Sequence, residues 1–220
     1  MKFSSPVRKA WAFVGMLVRP SVARKLGTLV TEGYLAETGW TESVRTSSVV
    51  DRLGSPIPWA TYPSIDFLIS RLDKNQSVFE YGAGASTLFF ARHTGRVTAV
   101  EHDEKFAEYL RPRLQKNVNL LGHEALSDAY VMAIRECGEA PDIVSVDGRN
   151  RVRCIQAAEP YLSARGVLIL DDAEREEYRE GICFLKERGY RSVEFWGLAP
   201  GMVERKCTSI FYRSNNVLGL

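Results

Sequence analysis

The feature that most constrains this chain is a regular alternation of short apolar segments with longer amphipathic segments, which begins at residue 77. The apolar segments have the length and β-branched content of strands, and the segments between them are long enough for helices. The predicted strands of this series are 77–81, 96–101, 117–121, 142–147 and 166–170. Such alternation predicts an α/β domain, with parallel strands in one sheet and helices on both faces.

The end of the chain departs from this alternation. Two further strands are predicted at 190–196 and 207–213, with only about ten residues between them. A parallel crossover usually needs a dozen residues or more, so this last pair is expected to be antiparallel. The predicted fold is a mostly parallel seven-stranded sheet whose last strand is antiparallel. The predicted division is an N-terminal helical extension and active-site lid at 1–62, followed by the main domain at 63–220.

Charge is distributed unevenly along the chain. The net charge of +2 conceals a basic start, because the first 30 residues carry six basic and no acidic side chains. The remaining residues therefore sum to −4, which argues against nucleic acid as a partner of the main domain. No apolar run approaches the roughly 20 residues of a membrane-spanning helix. The basic residues of the start are Lys2, Arg8, Lys9, Arg19, Arg24 and Lys25.

Two interpretations of residues 1–30 stay open. An amphipathic helix there would contact an anionic membrane surface reversibly. Alternatively, it packs on the protein itself or on a second subunit of a homo-oligomer. The N-terminal apolar run is short and lacks a signal-peptide cleavage site, so we expect this segment to stay part of the protein. The expected location is the cytoplasm or the inner face of the membrane. The four cysteines lack zinc-ligand spacing and are expected to be buried free thiols.

A glycine-rich turn follows the first predicted strand. Gly82 and Gly84 would allow a ligand to approach the backbone closely, and the following helix offers free N–H groups. Glu80 precedes the turn and would repel a phosphate but attract an amine or a sulfonium. Glu101 ends the second strand, where an acid accepts the hydroxyls of an adenosine ribose. The last glycine of a dinucleotide-binding turn is replaced by Thr87.

These motifs together resemble those of class I S-adenosylmethionine (SAM)-dependent methyltransferases. The resemblance covers about residues 63–213 and implies SAM as cofactor, with Glu80 near its amino group and Glu101 at its ribose. Ser86 stands where many members have a third glycine. The residues that carry the resemblance are Glu80-x-Gly82-x-Gly84 and Val100-Glu101-His102-Asp103. The cofactor-binding residues that it implies are Glu80, Tyr81, Gly82, Gly84, Ser86, Thr87, Glu101, His102, Ser127, Asp128 and Asp147, of which Ser127 and Asp128 are candidates at the adenine.

Three acids at the ends of later strands suggest a metal site. Asp147 follows the fourth strand, and Asp171 and Asp172 follow the fifth, so all three are expected at one sheet edge. Their mutual repulsion would be relieved by Mg²⁺ or Mn²⁺. This arrangement resembles metal-dependent O-methyltransferases, although Asn150 stands where the catechol type has a catalytic lysine. The alternative is neutralisation by ion pairs from Arg149, Arg151 or Arg153, in which case Asp147 or His102 would be the base.

The acceptor side is predicted from the segment before the first strand. Trp59 and Tyr62 would form an apolar wall or a wall for a sugar, or else pack a lid on the sheet. Arg149 and Arg151 are candidates for contact with the acceptor. The predicted function is SAM-dependent O-methylation of a hydroxyl on a sugar, a surface glycan or a small molecule. The alternatives are an NAD-dependent oxidoreductase and a non-catalytic SAM-binding protein.

Overall fold

A seven-stranded sheet forms the centre of the protein. The computed structural model describes Gly15 and residues 19–220. The strands are β1 Ser77–Tyr81, β2 Arg96–Glu101, β3 Val118–Gly122, β4 Ile143–Val146, β5 Val167–Leu170, β6 Arg191–Gly197 and β7 Lys206–Tyr212. Their order across the sheet is β3-β2-β1-β4-β5-β7-β6. Strands β1 to β5 pair in parallel, and β7 lies antiparallel between β5 and β6. The predicted fold class and the antiparallel last strand are confirmed.

Nine α-helices flank or precede the sheet in the described part of the chain. They are α1 Pro20–Thr31, α2 Tyr34–Glu37, α3 Trp40–Thr46, α4 Tyr62–Ile69, α5 Ala85–His93, α6 Glu104–Leu110, α7 Asp128–Met132, α8 Arg151–Ala158 and α9 Arg179–Glu187. Pro112 and Pro160 lie in 3₁₀ turns that follow α6 and α8. Proline has no N–H to continue an α-helix, so the helix ends before it.

The central strands carry apolar side chains on both faces of the sheet, and each face packs into a buried cluster. Neighbouring strand residues point to opposite faces, so Val78 and Phe79 belong to two different core clusters. The cluster that contains Val78 also holds Ile57 and Leu68. The segment before β1 therefore packs into the main core. Because α4 begins at Tyr62, the boundary expected after residue 62 falls inside a helix.

The N-terminal prediction lies mostly outside the described residues, since 1–14 and 16–18 are not among them. Helix α1 buries none of its residues, and Val22 and Leu26 are exposed. No helix in the described part of the chain is long and apolar enough to cross a bilayer. Contact of residues 1–30 with a membrane or a second subunit stays a prediction. All four cysteines are free; three are buried as predicted, but Cys183 on α9 is exposed.

Candidate functional site

A cavity of about 630 Å³ opens at the carboxyl ends of β1, β2 and β4. Its size is that of ordinary small-molecule sites, and its position is where parallel α/β sheets bind ligands. The three strand ends contribute Gly82–Ser86, Glu101-His102 and Asp147–Arg149. Two further walls come from Ser47–Val50 with Pro56 and Trp59, and from α6 and the turn after it.

Glycine is required in the turn after β1. Gly82 has a φ of +91°, and a Cβ there would lie 2.8 Å from the Cα of Gly148. The ends of β1 and β4 can approach this closely only because neither residue has a side chain. A Cβ on Gly84 would meet no atom within 4 Å. Backbone at Gly84 is therefore open to a ligand in the cavity.

Thr87 connects this turn to Glu80. Its hydroxyl accepts a hydrogen bond from the Gly84 N–H at 2.9 Å and donates one to Glu80 Oε2. Glu80 is fully buried, and its Oε1 has no hydrogen-bond partner among the described residues. Burial raises the pKa of Glu80 to about 8, and the charges of Asp147 and Glu101 add to the effect. A cation beside this carboxyl would favour its ionised form.

Glu101 joins the end of β2 to the turn after β1. Its Oε1 accepts hydrogen bonds from the backbone N–H groups of His102 and Asp103, each at 2.8 Å. Its Oε2 accepts one from Ala83 N at 3.1 Å. A carboxylate has about four lone-pair sites, so Oε2 keeps room for another donor. The His102 ring lines the cavity, with Nδ1 2.8 Å from Glu101 Oε1.

The backbone N–H groups of the turn are already engaged. Glu101 takes the N–H of Ala83, and Thr87 takes that of Gly84. A phosphate at a helix N-terminus depends on such groups being free. Here two of them point to protein oxygens, and one of these oxygens belongs to a carboxylate. The Glu101 carboxylate beside these N–H groups makes the turn a poorer site for a phosphate than for an uncharged or cationic ligand.

The three predicted acids do converge after β4 and β5. Carboxylate oxygens of Asp147, Asp171 and Asp172 lie within 4.8 Å of one another. Successive residues of an extended strand would point in opposite directions, but Asp172 has a φ of +53°. This left-handed residue lies in the turn after β5 and lets both neighbouring acids contact the same cation.

Three basic side chains neutralise the three acids. Arg151 lies 2.7 Å from Asp147 Oδ1 and 3.5 Å from Asp172 Oδ2. Arg175 lies 2.8 Å from the same Asp172 oxygen. The Lys206 ammonium lies 2.7 Å from Asp171 Oδ2 and 2.8 Å from Asp172 Oδ1. Only the first of these lysine contacts has hydrogen-bond geometry; the second is an ion pair alone.

These residues do not fit a divalent ion. The acids have the right donor atoms, but Lys206 fills the space between two of them, and the cluster is already neutral. The prediction of a metal at Asp147, Asp171 and Asp172 is therefore not supported, and the ion-pair alternative describes the site better. Arg151 was among the expected partners, whereas Arg149 and Arg153 make no ion pair with these acids. An antiparallel strand brings its first residue to this edge, which is the signal that could have identified Lys206.

Asp147 is the member of the cluster that lines the cavity. Its side chain is 29% exposed, whereas those of Asp171 and Asp172 are each 6% exposed. Burial raises the pKa of Asp147, and the nearby charge of Asp171 raises it further, while Arg151 opposes both. A carboxylate with a raised pKa is a stronger base than an ordinary aspartate, which suits it to accept a proton from a ligand.

Several predicted site residues are not brought to the cavity. Tyr62 is buried in α4, where its ring packs against Tyr34, so it cannot form an acceptor wall. Tyr81 is buried in the core, and its hydroxyl donates to Val131 O. Ser127 caps α7 by accepting from Tyr130 N. Asp128 is exposed and pairs with Arg153.

Other predicted residues lie at the cavity or directly behind it. Glu80 and Thr87 are buried behind the turn. Arg151 is held by carboxylates and backbone carbonyls, with its guanidinium 4.9 Å from the centre of the Tyr178 ring. The predicted residues that line the cavity are Trp59, Gly82, Gly84, Ser86, Glu101, His102, Asp147, Arg149 and Arg151.

Sequence reasoning missed the aromatic wall on α6. Phe106 and Tyr109 stack with ring centres 6.0 Å apart, and the Arg113 guanidinium lies 3.7 Å from the Tyr109 ring centre. All three line the cavity in place of the expected Ser127 and Asp128. Two aromatic residues on the solvent side of a short amphipathic helix were the available signal.

Comparison with known proteins identifies the fold. The sequence matches no protein-family model and no curated protein. A putative caffeoyl-CoA O-methyltransferase from Staphylococcus aureus has a similar structure, with a TM-score of 0.55, 14% identity, and 87% of this chain and 98% of that chain covered. For a precorrin-6y C5,15-methyltransferase from Geobacter metallireducens, the TM-score is 0.54 and the identity 19%, with 70% of this chain and 88% of that chain covered. For an rRNA methylase from Streptococcus thermophilus, the TM-score is 0.53 and the identity 18%, with 69% of this chain and 95% of that chain covered. At these identities the likeness shows the methyltransferase fold alone.

Proposed function

We propose that this protein is a SAM-dependent methyltransferase that methylates a hydroxyl group of a sugar, a surface glycan or a small molecule. The observation that carries the proposal is the turn after β1. Its N–H groups are occupied by Glu101 and Thr87, and three acids, Glu80, Glu101 and Asp147, surround it. This environment disfavours a dinucleotide phosphate and favours a cationic ligand. The shared fold of solved methyltransferases supports the same conclusion.

The residues at the turn fit SAM. Backbone at Gly84 is open, the free lone pair of Glu101 Oε2 can accept a ribose hydroxyl, and the unpaired Glu80 Oε1 suits an ammonium group. Phe106 and Tyr109 offer flat apolar surfaces for a base. When bound, SAM supplies a methyl group on a positively charged sulfur, which an acceptor oxygen can attack.

The chain's own contribution is to position the acceptor and remove its proton. Asp147 lies in the cavity with a raised pKa and can accept the hydroxyl proton, and Arg151 holds its carboxylate at 2.7 Å. Trp59 and Ser47–Val50 form one wall of the cavity beside this carboxylate. Most of the rate gain is expected from alignment of the acceptor oxygen, with proton removal second.

The acceptor is assigned from the character of the remaining walls. The half-exposed Trp59 ring suits the face of a sugar, and Arg149 is exposed at the cavity for a polar or anionic substituent. Nucleic acid is not the proposed acceptor, because the main domain is acidic in sum. A cytoplasmic location with membrane contact through residues 1–30 would bring the enzyme near lipid-linked glycans, and liposome co-sedimentation with and without those residues tests it.

Two measurements test the function. Calorimetry with S-adenosylhomocysteine and with NAD separates the proposal from an oxidoreductase, because we expect binding of the first and not of the second. Transfer of labelled methyl from SAM to a cell-envelope glycan fraction then tests catalysis, with Asp147→Asn as the variant expected to lose it. Binding of NAD alone would refute the proposal. Cofactor binding that survives in Asp147→Asn, with no transfer by the wild type to any extract, would favour a non-catalytic SAM-binding protein.

A further inference from the structure

Lys206 occupies the place between strand ends where the acid cluster would otherwise receive a divalent ion. Its side chain is 11% exposed, and three oxygens surround its ammonium nitrogen. These are Asp171 Oδ2 at 2.7 Å, Asp172 Oδ1 at 2.8 Å and the backbone oxygen of Trp59 at 3.3 Å. The contacts with Asp171 and with the Trp59 backbone are hydrogen bonds, and the contact with Asp172 is an ion pair.

The other oxygens of Asp171 are also engaged. Thr208 donates to Asp171 Oδ1 at 2.8 Å, and Arg151 donates to the backbone oxygen of Asp171 at 2.6 Å. Arg151 and Arg175 take the remaining charge of Asp147 and Asp172. A magnesium ion needs near-octahedral oxygen ligands at about 2.0–2.1 Å and would add two charges to a group that is already balanced. It could enter only if Lys206 left.

Lys206 also reaches the wall of the cavity. Besides the hydrogen bond to the Trp59 backbone, its ammonium lies 6.0 Å from the centre of the Trp59 ring. One side chain therefore joins the start of β7, the acids after β5 and the segment that lines the acceptor side. Removal of this charge would leave the buried Asp171 carboxylate without a basic partner and free Trp59 from the acids.

We propose that the Lys206 ammonium is a resident cation that replaces a divalent metal ion at this edge of the sheet, making the site independent of metal and positioning Trp59 against the acid cluster. The inference goes beyond the proposed function, because metal binding can be measured without any methyl acceptor. Lys206 is a positioning residue here and does not itself touch the reacting atoms.

The test is to create the metal site by removing the lysine. Mn²⁺ is titrated into chelator-treated wild type, Lys206→Ala and Lys206→Arg, with bound ion measured by electron paramagnetic resonance and stability by thermal unfolding. We expect Lys206→Ala to bind Mn²⁺ at least about tenfold more tightly than the wild type and to gain thermal stability from it. Lys206→Arg keeps the charge and should behave like the wild type. The double variant Lys206→Ala/Asp171→Asn should lose the gain.

Two results would overturn the inference. One is wild-type protein that binds Mn²⁺ as tightly as Lys206→Ala, since the lysine would then not occupy the site. The other is a folded Lys206→Ala protein with no increase in Mn²⁺ affinity. If the alanine variant does not fold, Lys206→Met keeps the apolar stem and is titrated in its place. Because the wild-type titration needs no variant, tight Mn²⁺ binding there refutes the proposal by itself.

Discussion

Two groups of acids lie at the same sheet edge, and the protein treats them differently. In the cofactor half, which is the turn after β1 with Glu80 and Glu101, both carboxyl groups are held by hydroxyl and backbone N–H groups, and neither pairs with a lysine or arginine among the described residues. In the acceptor half, Asp171 and Asp172 contact basic side chains, and the cluster is neutral. The difference indicates that the carboxyl groups of the cofactor half can pair with a cationic ligand, whereas those of the acceptor half already pair with basic side chains of the protein.

The largest expected effect is a loss of stability when an ion pair of the acceptor half is removed. Arg151→Met leaves Asp147 without its ion-pair partner and removes one of the basic partners of Asp172, so the free energy of unfolding should fall by about 3–5 kcal/mol. Urea unfolding measures it. Arg149→Met is the matched control, because that arginine also lines the cavity but is exposed, and its change should stay within about 0.5 kcal/mol. Equal losses in the two variants would contradict the assignment of Arg151.

The next effect is the pH dependence of the cofactor half. Burial raises the pKa of Glu80 from 4.5 to about 8, so the folded state holds a proton that the unfolded state has released. This group's stabilisation is complete below pH 4.5 and is lost as the pH rises towards 8, by at most about 1.4 kcal/mol per pH unit. Glu80→Gln mimics the protonated group.

Unfolding of wild type and Glu80→Gln at pH 5, 7 and 8.5 isolates this contribution. The two proteins should differ least at pH 5, and the variant should become the more stable one as the pH rises. Glu104→Gln, at an exposed position of α6, provides a control whose difference from wild type should not change with pH. A Glu80→Gln difference that is constant with pH would show that Glu80 is ionised in the folded protein.

A smaller loss is expected from Glu101→Gln. The amide that replaces the carboxylate cannot accept all three backbone N–H groups, so unfolding should become easier by about 1–3 kcal/mol. Calorimetry with S-adenosylhomocysteine should also show weaker binding, because the ribose acceptor is altered. Glu108→Gln, exposed on α6, should change neither quantity. Unaltered affinity in Glu101→Gln would remove this residue from the proposed cofactor site.

The smallest effect concerns the wall between the two halves. Trp59 Nε1 donates to Pro200 O at 3.0 Å, and Trp59→Phe loses that bond at a cost of about 1 kcal/mol. S-adenosylhomocysteine affinity should be unchanged, whereas the acceptor KM should rise. The comparison variant is Trp196→Phe on β6, whose indole bonds to Glu194 and does not line the cavity. A large change in cofactor affinity for Trp59→Phe would contradict the assignment of Trp59 to the acceptor side of the cavity.

The cofactor half could be predicted because its residues are local in sequence. Gly82 and Gly84 follow β1 directly, and Glu101 ends β2, so strand periodicity alone places all three at one edge. Tyr62 and Tyr81 were assigned to the site from neighbouring positions in the chain. The structure buries both, because the direction of a side chain depends on which face of its element meets the core.

The sequence by itself determined the sheet, its antiparallel last strand and the convergence of Asp147, Asp171 and Asp172, because parallel strands all present their carboxyl ends at one edge. Only the tertiary structure decided what these acids meet. Lys206 is 35 positions from Asp171 in sequence, and it reaches the acid only because β7 lies between β5 and β6. Charge balance depends on distances in space, and nothing in the sequence marks Lys206 as the partner of these acids. A lysine can therefore take the place expected for a metal.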